Sequence, residues 1–70
     1  MSIDKIKSYM QPDLFEFWQN CKDVEKLNSA RISLLFEMRQ FQYMRDYKHV
    51  AEYYLLCHLT GIEREDFNNN

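Results

Sequence analysis

Apolar residues recur at helical spacing from the start of the chain. Ile3, Ile6 and Met10 follow one another behind Ser2, whose hydroxyl can cap a first turn, and Asp4 sits where the positive end of a helix favours an acid. The pattern predicts a short helix over 2–10. Pro12 ends that run, because it lacks an N–H and disfavours the α conformation at Gln11, yet it suits the first position of a new helix. Leu14, Phe17, Trp18 and Cys21 then match the i, i+3, i+4, i+7 spacing of one buried face over 12–21. That face leaves Phe15 to the side, which makes it a candidate contact residue.

From 24 to 59 there is neither glycine nor proline, and good helix formers dominate, so this stretch is predicted as helix with Asp23 as its N-cap. Its apolar residues form two stripes. Val24, Leu27, Leu34, Met38 and Phe41 make one; Phe36, Tyr43, Tyr47, Val50, Tyr54 and Cys57 make another, roughly 160° away at about 100° per residue. Either one long helix is buried on opposite sides at its two ends, or the chain turns near Arg45 and Asp46 and Asp46 caps a separate last helix. The continuous helix is favoured, since a turn here would form without glycine or proline. Thr60 and Gly61 end the helix, with Ile62 supplying the apolar contact of a glycine cap. Residues 63–67 are expected to make one more turn, and 68–70 to fray. The predicted fold is all-α: one domain over 1–70, a small helical hairpin or three-helix bundle with two short N-terminal helices and one long helix, its possible break near 45–46.

Composition sharpens this picture. Seventy residues bury a smaller fraction of their surface than a typical domain does, and chains of this size usually recover stability from disulfides, a metal, oligomerisation or dense helix packing. Hydrophobic residues at 46% and aromatics at 16% point to packing or a partner. Cys21 and Cys57 are expected as free thiols of a cytoplasmic protein, since no secretory signal pattern begins the chain. The longest apolar run, 53–57, is far short of the roughly 20 residues that cross a bilayer. With 9 basic and 11 acidic residues, net charge singles out no partner.

The search for chemistry is largely negative. Cys21, His49, Cys57 and His58 lack the paired spacing of a zinc site, so no metal and no cofactor is expected. Cys57 and His58 are adjacent and point about 100° apart on a helix, which excludes them as a catalytic dyad, and there is no glycine loop for phosphate; catalytic residues are not expected. Lys26, Arg31, Arg39, Arg45 and Lys48 make the middle slightly basic but are spread around the helix, which disfavours nucleic acid as a partner. The stretch AEYYLLCHLTGIER at 51–64 resembles a helix-end pattern in the N-terminal helical domain of release-factor methyltransferases; the shared letters are an apolar helix and its glycine cap, and they imply no function.

What remains is aromatic excess. Phe15, Trp18, Tyr43, Tyr47, Tyr53 and Tyr54 exceed what so small a core easily encloses, and tyrosine suits interfaces with one dry and one hydrogen-bonding end. Phe15, Tyr43, Tyr47, Tyr53 and Tyr54 are therefore the candidate partner-binding residues. The expected function is a non-enzymatic protein-interaction module, a stoichiometric adaptor or inhibitor of a larger protein, encoded by a phage or other mobile element, and homodimeric through the long helix. A small dimeric DNA-binding transcriptional regulator is the alternative, and a self-assembling structural protein a third reading.

Overall fold

The computed structural model describes residues 1–67. Among these are four α-helices and no strand: α1 (Ile3–Tyr9), α2 (Pro12–Asn20), α3 (Val24–Gln40) and α4 (Tyr47–Thr60), with a 3₁₀ turn (Gln42–Arg45) between the last two. The boundaries follow local chemistry. The Ser2 hydroxyl accepts from the Lys5 N–H at 3.2 Å, the Asp23 carboxylate from Lys26 N–H at 3.2 Å, and the Asp46 carboxylate from His49 N–H at 2.9 Å. Each satisfies a donor that the first helical turn leaves without a partner. Pro12 opens α2, and Gly61 closes α4 in the left-handed conformation at φ 69°.

The continuous helix expected over 24–59 is not formed. Phe41 is extended, the chain passes through the 3₁₀ turn, and Asp46 caps a new helix. Arg45 shows how this turn does without glycine or proline. Its Nε donates to the Met38 carbonyl at 2.6 Å and its Nη2 to the Arg39 carbonyl at 3.1 Å, so one guanidinium satisfies the carbonyls that the end of α3 exposes. The first stripe thus lies on α3 up to its cap Phe41, whereas the second is divided: Phe36 stands on α3, Tyr43 in the turn, and Tyr47, Val50, Tyr54 and Cys57 on α4. The helical turn expected over 63–67 is also absent: the chain after Gly61 runs back as a non-helical strap ending in the buried ring of Phe67. The frayed end expected at 68–70 lies outside the described residues.

The core is built around α4, on which α1, α2 and α3 each pack. Val50, Ala51 and all five residues from 53 to 57 are buried, so α4 is apolar nearly all round, as a central helix must be. Ile6 comes in from α1, Phe15 and Trp18 from α2, Leu27 and Met38 from α3. The face of α2 is rotated from the one its spacing suggested: Phe15 is buried, whereas Phe17 is 50% exposed beneath the Lys26 ammonium at 5.0 Å. Leu14, Phe15, Phe17 and Trp18 leave both orientations open, and the indole decides between them. Its Nε1 donates to Glu52 Oε2 of α4 at 2.9 Å, which satisfies the polar edge of Trp18 as it is buried. Among the described residues no helix is long and apolar enough to cross a membrane.

Candidate interaction surface

The five aromatic residues singled out in the sequence divide into two groups. Phe15, Tyr53 and Tyr54 are inside, at 5%, 1% and 4% exposure, so the expectation that these rings are left over from the core is corrected. Over its buried stretch, from Val50 to Cys57, α4 offers no outer face for Tyr53 to occupy. Both tyrosines of α4 instead work inward on the strap. The Tyr53 hydroxyl accepts from the Glu65 N–H at 2.9 Å; the Tyr54 hydroxyl accepts from the Phe67 N–H at 3.0 Å and donates to the Asp66 carboxylate at 3.0 Å. Burial pushes both phenols above their ordinary pKa, because the charged form would lose its hydration.

Tyr43 and Tyr47 are outside, at 73% and 65% exposure. Tyr43 stands on the 3₁₀ turn with its ring 5.4 Å from that of Phe41, the residue that ends α3. One turn earlier, Phe36 projects from the side of α3 opposite Leu27 and Met38, and Arg39 lies over its ring at 5.9 Å. Arg39 also holds Glu65 of the strap in a bidentate pair, with Nη2–Oε1 at 2.6 Å and Nε–Oε2 at 3.2 Å. The hydrogen bonds of that pair raise the Arg39 pKa and lower that of Glu65. Two exposed contacts, Phe36 with Arg39 on α3 and Phe41 with Tyr43 at the turn, give this end of α3 an aromatic corner. Sequence reasoning placed Phe36 and Phe41 in the stripes and so missed their exposure, which no local signal in the sequence marks.

Tyr47, at the first position of α4, stacks on Tyr9 of α1 with centroids 5.0 Å apart. This pair lines an open cleft of about 570 Å³ with Lys5, Arg45, Arg64 and Asp66 around it. Its charged groups are largely engaged within the fold: Arg45 on carbonyls of α3, Arg64 over the Tyr54 ring at 4.2 Å, Asp66 with the Tyr54 hydroxyl. Both cysteines are free; burial pushes the Cys57 thiol up, away from the thiolate that nucleophilic chemistry needs. No group of three or more potential metal ligands is gathered among the described residues.

The fold and this surface define a small all-α protein whose described chemistry is packing, capping and exposed aromatic area. Compared with known proteins, the chain matches no family model, no curated protein and no solved structure.

Proposed function

We propose that the chain is a non-enzymatic protein-interaction module, an adaptor or stoichiometric inhibitor that docks a larger protein on the aromatic corner of Phe36, Phe41 and Tyr43. The observation that carries this reading is the exposure of three rings, at 58%, 39% and 73%, beside a core that α4 already fills. Exposed aromatics next to an arginine have the composition of interface centres, where large rings bury much area at small entropic cost. Of the residues first named as partner-binding, Tyr43 lies in this corner and Tyr47 flanks the neighbouring cleft.

The homodimer expected of one long helix no longer has that helix to rest on, and a second copy is one of the partners the corner could take. The DNA-binding alternative would draw on cations of the middle segment, of which Arg39 pairs with Glu65 and Arg45 caps α3. The test is affinity capture from the native host with the intact chain and with a Phe36→Ala, Tyr43→Ala double variant of unchanged melting temperature. A protein retained by the first and lost by the second supports the reading. A partner held equally by both, or nucleic acid eluted steeply by salt, refutes it.

A further inference from the structure

Residues 62–67 are held by other elements instead of by hydrogen bonds of their own. The backbone N–H groups of Glu65 and Phe67 donate to the hydroxyls of Tyr53 and Tyr54, the Asp66 carboxylate accepts from Tyr54, and Glu65 takes the Arg39 guanidinium with both oxygens. The Phe67 ring meets Tyr53 edge-on at 5.7 Å and lies under the Arg45 guanidinium at 5.6 Å. An extended peptide is bound in this way by a receptor: main chain by fixed polar groups, charge by arginine, an aromatic residue by a pocket. The groove contributes two cations, Arg39 and Arg45, and the segment two acids, Glu65 and Asp66, so the fit is electrostatic as well as apolar.

These contacts join residues of the strap to residues of α3, the turn and α4, and only residues 61–64 connect the two sides. A second copy carries the same acidic, aromatic segment. We propose that the strap exchanges reciprocally between two copies, the groove of Arg39, Arg45, Tyr53 and Tyr54 in one being filled by Glu65, Asp66 and Phe67 of the other. Apart from those of the connection itself, where the Ile62 N–H donates to the Cys57 carbonyl and Arg64 lies over Tyr54 and reaches the Met1 carbonyl, the contacts made are the same in both forms, so the balance lies with the connection and the concentration. A short connection gives closure within one chain an effective concentration in the millimolar range, on the order of 1 mM, and the exchanged dimer appears as the chain approaches it. Four connecting residues reach at most about 14 Å, so the two α4 C-termini lie side by side in the dimer.

Charge reversal tests this with full chains. Arg39→Glu and Glu65→Arg each place like charges together within their own chain, whereas exchange between the two variants sets every reversed site against its opposite. The pair is exposed on both sides, at 50% and 41%, so each variant should keep its helicity by circular dichroism. Sedimentation at about 0.5 mM should find each variant alone no richer in dimer than the unaltered protein and their equimolar mixture associating about tenfold more strongly, with R39E/E65R in one chain returning to the behaviour of the unaltered protein. The heterodimer should survive Tyr43→Ala in both chains; its loss would place the contact on the aromatic corner and overturn exchange. A mixture that stays monomeric overturns it as well. Should either variant lose helicity, the unaltered chain at about 1 mM, half of it isotope-labelled, decides the matter by nuclear Overhauser contacts between labelled Phe67 and unlabelled Tyr53: their presence supports exchange and their absence overturns it.

Discussion

Replacing Tyr54 by Phe removes a single oxygen from a side chain that is 4% exposed, and the structure assigns that oxygen two hydrogen bonds. The Phe67 N–H is left buried without its acceptor, at a cost of about 1–3 kcal/mol, and Asp66 loses a neutral donor worth roughly 1 kcal/mol more. The strap can lift away, which caps the total at what its attachment contributes, chiefly the burial of the Phe67 ring at about 1.5–3 kcal/mol. A loss near 2 kcal/mol follows, or roughly 8–16 °C in melting temperature for a domain of this size. Thermal unfolding by circular dichroism measures it, and hydrogen exchange at the Phe67 amide shows whether the strap has detached. Tyr43→Phe, on a ring 73% exposed, is the control and should stay within about 0.5 kcal/mol. A shift below about 4 °C in Tyr54→Phe with the Phe67 amide still protected would show that the tyrosine clamp does not hold the strap.

Phe15→Ala, Tyr53→Ala and Trp18→Ala should all be severely destabilising in denaturant titration, about 3–5 kcal/mol each, because all three rings are in the core; a Phe15→Ala variant of nearly normal stability would contradict its placement. Acid should weaken the fold through two carboxylates. Burial alone would raise the Asp46 pKa, but the N–H and ring of His49 outweigh it and hold the group below its ordinary value, and the Arg39 hydrogen bonds do the same for Glu65. A depressed folded pKa means stability that is present above the unfolded value and lost as pH falls through the folded one, so unfolding free energy should decline below about pH 4.5, less steeply in Asp46→Asn; a flat profile from pH 6 to 3 would contradict this. Of the two free thiols, half-buried Cys21 should react with a disulfide reagent in the folded protein and Cys57 only on unfolding, and equal rates would mean that α4 is not enclosed.

The signals legible in the sequence were those that act within a few residues. Ser2 and Asp23 as N-caps, Pro12 as a helix start and Gly61 as a stop all operate through hydrogen bonds and backbone angles spanning one turn, and each is found where it was read; Asp46 as a cap belonged to the alternative that was not favoured. The all-α class follows from them together with apolar periodicity. Choosing between a continuous and a broken segment at 41–46 was a different matter, because the break is stabilised by Arg45 reaching back to carbonyls six and seven residues earlier, and no local preference marks an arginine for that task.

The direction in which each ring points was decided by tertiary structure alone. Leu14, Phe15, Phe17 and Trp18 cover so much of α2 that periodicity leaves its rotation open, and what packs against the helix, including the Trp18–Glu52 bond across 34 residues, selects the orientation that buries Trp18 and Phe15 and turns Phe17 out. Tyr53 and Tyr54 read as surplus until the returning strap supplies N–H groups for their hydroxyls, 12 and 13 residues further along. The sequence by itself thus determined the all-α class and several helix starts and stops, through energies contained in single turns. Which faces are buried, and hence which rings stay exposed, depended on what packs against each helix, because burial is a property of the neighbours and not of the residue.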